Sequence, residues 1–224
     1  SRMMTRQLAH EIRNPLGGLR GAAQLLEREL GTPSLRAYTQ EIIGEAAWLT
    51  ALVDSMAGPK VLPQKQRRNV HEICEHVHHL LRGEARASVA VDRDYDPSVP
   101  DGEFDKNQLV QAMLNIARNA MQAVGDRGRI VLRTRVVSNA SIGLDRHRLA
   151  VRIEVEDDGP GVPDSIRDSL FYPLVTGRPN GTGLGLAVAQ EIVTRNGGAI
   201  EFQSEPGRTV FAIQLPLETR ESAT

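Results

Sequence analysis

The sequence predicts an α+β protein: a two-helix hairpin forming a dimeric four-helix bundle, followed by an α/β sandwich. Three observations carry this prediction. Two long amphipathic helical patterns fill residues 1–58, residues 59–68 have no periodicity, and residues 69–217 alternate between helical and strand patterns. Residues 218–224 follow as a polar tail, which we expect to be disordered.

The first helix is predicted over residues 3–30, because apolar residues recur at alternating steps of three and four and Gly31 follows. Ser34 is expected to cap a second helix that ends at Gly58. The two apolar stripes comprise Leu8, Ile12, Leu16, Leu19, Ala23, Leu26 and Leu30, and then Leu35, Tyr38, Ile42, Ala46, Leu49, Val53 and Met56. Since each helix of a hairpin has only one partner face, two copies are needed to close a core, and we predict a homodimer.

The remaining elements follow from caps, β-branched runs and glycine stops. Residues 59–68 are interpreted as an interdomain linker. Asn69 is predicted to cap a helix, and Asp105 opens a longer one that runs to Val124 and stops at Gly125. A helix is predicted over 184–195 and strands over 89–95, 129–137, 148–157, 200–204 and 209–215, with a polar loop between 137 and 148. Together they predict one mixed sheet with helices on one face.

Charge and cysteine content exclude several classes of protein. The 27 Lys and Arg residues nearly balance 28 Asp and Glu residues, so no direct contact with nucleic acid is expected. A single cysteine, Cys74, excludes an internal disulfide and fits a reducing, cytoplasmic compartment. Since the chain has neither a signal-peptide pattern nor a run of about 18 apolar residues, we expect no membrane contact in this fragment. Its start so close to His10 suggests a piece of a longer protein.

His10 is unusual because it points away from the apolar stripe of its helix. It lies two residues from Leu8 and from Ile12, which rotates it by about 200° from Leu8. Glu11 follows it, and Pro15 in the helix interior crowds the carbonyl of Glu11. A solvent-facing His-Glu pair beside a strained turn predicts a reactive site. From this segment alone, an ordinary surface histidine beside a tolerated kink is equally acceptable.

A second histidine-rich segment follows Asn69. His71, Cys74 and His78 fall on one side of the predicted helix, a spacing that can hold a metal ion. Cys74 belongs to the apolar stripe of this helix, where a free cysteine acts as a small hydrophobic residue. Core packing is therefore the favoured interpretation over a structural metal.

Three short segments together indicate a nucleotide site. Residues 156–161 end a strand with an aspartate that can accept a hydrogen bond from an exocyclic amine such as that of adenine. Residues 181–186 are glycine-rich and run into a helix, whose N-terminal N–H groups can cradle phosphate. Asn115 and Asn119 share one helix face, and a carboxamide oxygen suits Mg²⁺. Each segment alone is also compatible with a turn, a flexible loop or surface polar residues.

In this order the segments resemble the transmitter region of a sensor histidine kinase, of the nitrogen-regulation NtrB type, and the resemblance covers nearly the whole chain. Residues 10–26 resemble the phosphoacceptor box. The ATP-binding boxes are matched by residues 115–123 (N box), 157–161 (first glycine box), 171–178 (F box and a basic residue), 181–186 (second glycine box) and 207–211 (last glycine-threonine motif). In the last of these, Arg208 stands where a glycine is common.

The resemblance implies a dimerisation and phosphotransfer hairpin over residues 1–58 and a catalytic Bergerat-type ATP-binding domain over 69–217. It implies that ATP phosphorylates His10, with Glu11 fixing the imidazole tautomer, and that Mg²⁺ binds at Asn119. Asn14 would position water for phosphatase activity, and Asn115 replaces a glutamate that activates water in related ATPases. The implied ATP-binding residues are Asp157, Gly159, Gly161, Arg178, Gly181, Thr182, Gly183, Leu184, Gly185, Asn119, Arg118 and Thr209.

The implied partners are a second copy of the chain, a response-regulator receiver domain of the NtrC type and a PII-type signal protein.

Two other functions are compatible with parts of the sequence. A dimeric scaffold could bind ATP as a conformational signal without transferring phosphate, although His10 and Asn119 argue against it. An ATPase motor of the GHKL superfamily, the related ATPases mentioned above, is disfavoured by the phosphoacceptor box around His10 and by Asn115. The loop between Gly161 and Gly181 is expected to be a mobile lid over the nucleotide.

Overall fold

The computed structural model of the chain describes residues 2–30, 33–57, 63–173, 175–177 and 183–217. Within the first two helices, only the backbone is described at residues 2–10, 33, 34, 37, 47, 48, 51, 52 and 54–57. The chain divides into two compact units, Ser1–Lys60 and Val61–Thr224, and each unit is presented by itself. The described helices contain no apolar stretch that is long enough to cross a bilayer.

The first unit is a pair of long helices, α1 (Arg2–Glu29) and α2 (Pro33–Ala57), that pack against each other. The helix α1 continues through Pro15. Ser34 was expected to cap α2, but the first helical residue is Pro33, so Ser34 is already part of the helix. Proline suits a first helical position because its φ angle is already helical and its missing N–H would have no partner there. The predicted stops Gly31 and Gly58 lie outside the described residues.

Much of the apolar stripe of this hairpin stays accessible in a single chain. Leu19 and Leu26 of α1 are 52% and 50% exposed, and Ile42 of α2 is 42% exposed. Among the described side chains of the two helices, the buried apolar ones are Ala23, Ala46 and Val53. One hairpin alone therefore leaves large apolar side chains in water.

The second unit consists of α3 (Val70–Glu84), α4 (Lys106–Val124), α5 (Gly185–Arg195), a 3₁₀ helix (Asp164–Ser169) and seven strands. The strands are β1 (Gln66–Arg68), β2 (Val89–Tyr95), β3 (Gly102–Phe104), β4 (Gly128–Ile142), β5 (Asp145–Asp157), β6 (Ala199–Glu205) and β7 (Arg208–Pro216). Five of them form one sheet in the order β2-β4-β5-β7-β6. The pair β2–β4 is parallel and the other three pairs are antiparallel, so the prediction of a mixed sheet is confirmed.

One face of the five-stranded sheet carries the core of this unit. The helices α3, α4 and α5 supply fully buried side chains such as Ile73, Ile116 and Ile192. The strands β5 and β7 meet them with alternate residues, among them Ile153 and Ile213. The residues between these positions face the other side of the sheet, where charged pairs predominate, as for Arg133 with Asp94, Glu154 and Glu156. The result is a two-layer α/β sandwich.

The hairpin of β4 and β5 is longer than the sequence indicated. A polar loop was expected between residues 137 and 148, but the strands continue and leave only a turn at Gly143 and Leu144. The alternation was hidden by small and polar residues: Ala140 and Ile142 are buried whereas Ser141 is exposed. Gly143 has a φ of 61°, as tight hairpin turns require.

Part of the predicted linker belongs to the second unit. Residues 66–68 form the strand β1, which pairs antiparallel with β3. The polar triplet at 66–68 has no apolar alternation, and its partner lies more than thirty positions later in the chain, so local patterns could not reveal it. The strand β3 was missed for the same lack of local signals, and the 3₁₀ helix was also not predicted.

The caps of the helices follow the sequence closely. The Asn69 side chain accepts a hydrogen bond from the N–H of His71 and caps α3. At the start of α4, Asp105 Oδ1 accepts from the N–H of Gln108 at 3.0 Å, and Oδ2 accepts from the N–H of Gln64 at 2.7 Å. The carboxylate of Asp105 therefore caps α4 and also ties the segment before β1 to this helix.

Replacing Asp105 with alanine should lower the free energy of unfolding by about 1–3 kcal/mol, because the helix loses its cap and two N–H groups lose their acceptor. Urea denaturation measures this loss. Asp164→Ala is the control, since Asp164 is 96% exposed and its removal should change stability by less than about 0.5 kcal/mol. Equal effects of the two substitutions would contradict the role assigned to Asp105.

Candidate functional site

A cavity of about 490 Å³ opens in the second unit beside α4, the end of β5 and the start of α5. Its wall contains many of the residues that the sequence had singled out: Asn115, Arg118, Asn119, Asp157, Gly161, Gly183, Gly185 and Thr209. The three separate segments of the sequence therefore meet at one place.

The helix α4 lines the cavity with a single face. Asn115, Arg118, Asn119, Gln122 and Ala123 stand at helical spacing along it and all reach the cavity wall. The opposite face of α4 is buried in the core, so the register of these polar side chains is fixed by apolar packing. Asn115 and Asn119 are partly buried and face the cavity, so this polar pair in the middle of a helix lies outside the apolar core.

Asp157 ends β5 and is almost fully buried, with 3% of its surface exposed. Its Oδ1 accepts a hydrogen bond from the N–H of Gly159 at 3.0 Å. A Cβ atom at Gly159 would lie 2.7 Å from Asp157 Oδ1 and 2.9 Å from Cβ of Ala123. Gly159 is not part of the cavity wall. Because it has no side chain, it leaves room for the carboxylate of Asp157, which is part of the wall.

The loop after Asp157 is supported by the hairpin of β6 and β7. Gly161 adopts a φ of 90°, and a Cβ atom there would be 3.2 Å from the backbone of Glu205. Ser204 Oγ accepts from the N–H of Val162 at 2.8 Å and lies 2.9 Å from Thr209 Oγ1. Thr209 is thus a wall residue held by Ser204, which no sequence motif marked.

The glycine-rich segment enters α5 beside Asn115. Gly183 has a φ of 64°, Leu184 occupies the N-cap position, and Gly185 is the first helical residue. A Cβ atom at Gly185 would lie 3.8 Å from Cβ of Asn115. The positive end of the helix dipole therefore lies at the cavity, where it favours an anion. Leu184 is buried and is not among the wall residues.

Three predicted binding residues, Arg178, Gly181 and Thr182, lie outside the described residues. Residues 174 and 178–180 of the expected lid lie outside them as well. The described beginning of that segment is the 3₁₀ helix and the turn after it.

The remaining wall of the cavity is largely apolar, and its residues were not predicted as binding residues, although residues 186 and 211 lie in two of the motifs. It includes Val162, Ile166, Leu170, Leu186 and Phe211. The spacing of four between residues 162, 166 and 170 is the signal that could have indicated a helical turn facing the site. Apolar side chains of this kind favour contact with the apolar part of a ligand, whereas the polar groups lie along α4 and at Asp157.

The first unit carries the other predicted site residues. His10 lies in α1, where its backbone is helical, and its side chain is outside the described residues. Glu11 and Asn14, also on α1, are exposed to solvent.

The histidine-rich face of α3 is occupied by contacts within the fold. His71 Nε2 lies 2.9 Å from Thr134 Oγ1, and His78 Nε2 lies 3.0 Å from the carbonyl of Val91. Burial raises the pKa of the Cys74 thiol to about 12, which opposes the thiolate form that binds metals. No cluster of three or more ligating side chains occurs among the residues that the structure describes.

Residues 104–219 match the family described as histidine kinase-, DNA gyrase B-, and HSP90-like ATPase, and residues 1–58 match the His Kinase A (phospho-acceptor) domain. The chain belongs to this ATPase family and, with the phospho-acceptor domain ahead of it, to the histidine kinases.

Its relatives include proteins named sensory histidine kinase/phosphatase NtrB. The Vibrio alginolyticus protein is 48% identical over 219 residues, which cover 97% of this chain and 63% of the relative. The Escherichia coli O157:H7 protein is 48% identical over 218 residues, which cover 97% of this chain and 62% of the relative. The Rhodobacter capsulatus protein is 39% identical over 225 residues, with 97% and 62% covered. The chain thus spans less than two thirds of the length of the curated relatives it matches.

Solved structures of histidine kinases share the fold. Full-length ShkA in complex with AMPPNP has a TM-score of 0.76 at 25% identity, covering 98% of this chain and 46% of that one. Histidine kinase ThkA in complex with the response regulator protein TrrA has a TM-score of 0.64 at 25% identity, covering 96% of this chain and 61% of that one. The predicted fold class, a helical hairpin followed by a mixed α/β sandwich, is confirmed.

Proposed function

We propose that this chain is the transmitter of a two-component system, similar to NtrB. It binds ATP in the cavity of the second unit, transfers the γ-phosphoryl group to His10 and passes it to an aspartate of a response regulator. It also removes phosphate from that regulator. One observation carries the proposal: a cavity that gathers Asp157, Asn119 and the glycines before α5 occurs in a chain whose first helix has the phosphoacceptor box.

The base of the nucleotide fits the Asp157 end of the cavity. A carboxylate that is 3% exposed and lies in the wall of the cavity can accept a hydrogen bond from the exocyclic amine of adenine. Gly159 supports this carboxylate and Gly161 lets the backbone pass close to the ring. Ile166, Leu170 and Phe211 supply the apolar contact for the ring faces.

The phosphates fit the other end, between α4 and the start of α5. Backbone N–H groups around Gly183 and Gly185 suit phosphate oxygens, and we assign Gly181, Thr182 and Leu184 to the same function. Thr209, which is the register partner of Asp157, is assigned to the adenine end instead. The carboxamide oxygen of Asn119 suits Mg²⁺, a cation that prefers oxygen ligands. When bound, Mg²⁺ supplies positive charge that neutralises the phosphates. Arg118 and Arg178 add cationic side chains.

His10 accepts the phosphoryl group through one neutral ring nitrogen. The nitrogen lone pair forms the N–P bond while the bond from the γ-phosphorus to the bridging oxygen breaks, and ADP leaves with that electron pair. Glu11, which is exposed on the same helix, accepts the N–H of the second ring nitrogen and so keeps the first one available.

Asn115→Glu should raise the rate of ATP hydrolysis to water. A carboxylate at this wall position can remove a proton from water, which a carboxamide cannot do. Phosphate release is measured with Asn115→Gln as the matched control, because glutamine has the same size without the basic group. An unchanged rate of hydrolysis in Asn115→Glu would count against the proposal that Asn115 limits the hydrolysis of ATP.

Asn14 lies one helical turn after His10 and is proposed to position the water that removes phosphate from the regulator. Asn14→Ala should slow dephosphorylation of the phosphorylated receiver domain while leaving phosphorylation of His10 in place. Normal dephosphorylation by Asn14→Ala would exclude this role.

The exposed apolar residues of α1 and α2 support a homodimer, because a second hairpin would cover them in a four-helix bundle. An NtrC-type receiver domain and a PII-type signal protein are proposed as further partners from the resemblance to NtrB. A cytoplasmic location remains a prediction.

Transfer to a receiver domain tests the proposal. The chain is incubated with Mg²⁺ and ATP labelled at the γ-phosphate, and an NtrC-type receiver domain is then added. Label should first appear on the chain in acid-labile, base-stable form and then move to the receiver, but not to a receiver whose acceptor aspartate is replaced by asparagine. ATP binding without label on the chain would favour a scaffold, and rapid phosphate release without label would favour an ATPase motor.

A further inference from the structure

Arg118, a wall residue of the cavity, is held by an acidic side chain from a different helix. Its Nε donates to Glu84 Oε2 at 3.0 Å and its Nη2 donates to Glu84 Oε1 at 2.6 Å. Glu84 is the last residue of α3 and belongs to none of the motifs. Two parallel hydrogen bonds between a guanidinium and a carboxylate fix the plane of the guanidinium as well as its position.

The helices that carry the pair are firmly placed. One turn before Glu84, Leu81 of α3 is fully buried, and Ala117 of α4, next to Arg118, is fully buried as well. Each partner keeps the other charged: the hydrogen bond from Arg118 lowers the pKa of Glu84, and the hydrogen bond to Glu84 raises the pKa of Arg118. The carboxylate therefore acts as a fixed anchor for the arginine at neutral pH.

This pairing leaves part of the guanidinium available to a ligand. A guanidinium has five N–H groups, and Glu84 accepts from two of them. The other N–H groups are directed away from Glu84 by the planar geometry of the side chain. Arg118 lies on the face of α4 that also presents Asn115 and Asn119 to the cavity.

We propose that Glu84 is a positioning residue for the triphosphate, because it holds Arg118 at the phosphate end of the cavity so that its remaining N–H groups meet the phosphate oxygens in a fixed orientation. This inference rests on the proposed binding of ATP in the cavity. An arginine that is already ordered loses less side-chain freedom when the ligand arrives, and the ligand gains affinity.

The test compares the affinities of Glu84→Ala for ATP and for adenosine by isothermal titration calorimetry. Since exposed ion pairs are weak, we expect a loss of about three- to fivefold for ATP. Affinity for adenosine should not change, because it has no phosphate to contact Arg118. The loss for ATP should shrink at high salt, where charges are screened. Glu84→Gln, which keeps the shape of the side chain, should weaken ATP binding in the same direction.

Two further variants separate positioning from a structural effect. Arg118→Ala should weaken ATP binding, and adding Glu84→Ala to it should produce no additional loss, because Glu84 acts through Arg118. Glu75→Ala is the matched control: Glu75 is also on α3, is about half exposed and pairs with Arg93 at 2.9 Å, but Arg93 is not a wall residue. ATP affinity should be unchanged in this control.

The outcomes distinguish this inference from the proposed function. If the unmodified chain does not bind ATP, both fail. If it binds ATP and Glu84→Ala binds equally or more tightly, the positioning role is overturned while ATP binding stands; tighter binding would mean that Glu84 withholds Arg118. A loss that persists in the Arg118→Ala background, or that extends to adenosine, also overturns it.

Discussion

Replacing His10 with glutamine should abolish ATP-dependent phosphorylation of the chain and leave its affinity for ATP unchanged. Glutamine is compatible with a helix but has no nucleophilic ring nitrogen, so the acceptor is lost while α1 is retained. The described wall of the cavity consists of residues of the second unit, so the substitution leaves those wall residues unchanged. Acid-labile, base-stable label and ATP affinity are measured on the same preparation.

His147→Gln is the matched control for this substitution, because His147 is a partly exposed histidine of β5. It lies outside the phosphoacceptor box, the ATP-binding boxes and the cavity wall. It should be labelled like the unmodified chain. Label that remains in His10→Gln would mean that another side chain accepts the phosphoryl group. Loss of ATP affinity in His10→Gln would contradict the claim that the phosphoryl acceptor and the nucleotide site are separate.

Replacing Gly159 with alanine should weaken ATP binding by at least about tenfold, equivalent to about 1.4 kcal/mol. The added Cβ would lie 2.7 Å from Asp157 Oδ1 and 2.9 Å from Cβ of Ala123, so the carboxylate or the backbone of the loop must move. The same overpacking should lower the free energy of unfolding by about 1–3 kcal/mol. Calorimetric titration with ATP and urea denaturation measure the two effects.

Gly83→Ala is a suitable control for the glycine substitution. Gly83 is helical, in α3, and a Cβ atom there has nothing within 4 Å, so alanine should preserve ATP affinity and stabilise the helix by up to about 1 kcal/mol. If Gly159→Ala bound ATP as tightly as Gly83→Ala, the buried carboxylate of Asp157 would not be the group that recognises the base.

The helices and their ends were predictable because their signals are local. Asn69 and Asp105 cap α3 and α4 as expected, and Gly125 ends α4 with a φ of 65°. The apolar periods of α1 and α2 also identified the correct helices. Pro33 shows the limit of such signals, since a serine and a proline at neighbouring positions both favour a helix start and only the backbone decides between them.

The pairing of polar strands could not be predicted in the same way. The strand β1 contains only Gln66, Arg67 and Arg68, and its partner β3 is distant in the chain. The extension of β4 through Ile142 depends on an alternation of small residues that resembles a loop in composition. In both cases the side-chain pattern is too weak to predict the strand, and the pairing with a neighbouring strand reveals it.

The candidate site was predictable where a residue has an unusual type for its position. Asparagines inside α4, an aspartate at a strand end and glycines before α5 are such residues. Glu84 and Ser204 were missed because their importance lies in contacts with Arg118 and Thr209. These contacts depend on how α3 and β6 pack, and a glutamate or serine on the surface of an element carries no local signal of them.

Mapping the phosphoryl group on the unmodified chain tests the central claim most directly. The chain has six histidines. After incubation with Mg²⁺ and ATP, proteolysis near neutral pH and fragmentation by mass spectrometry would identify the modified residue. We predict that the phosphoryl group lies on His10 and depends on ATP. Modification of one of the histidines of α3 or of β5 instead, or a chain that binds ATP and remains unmodified, would contradict it.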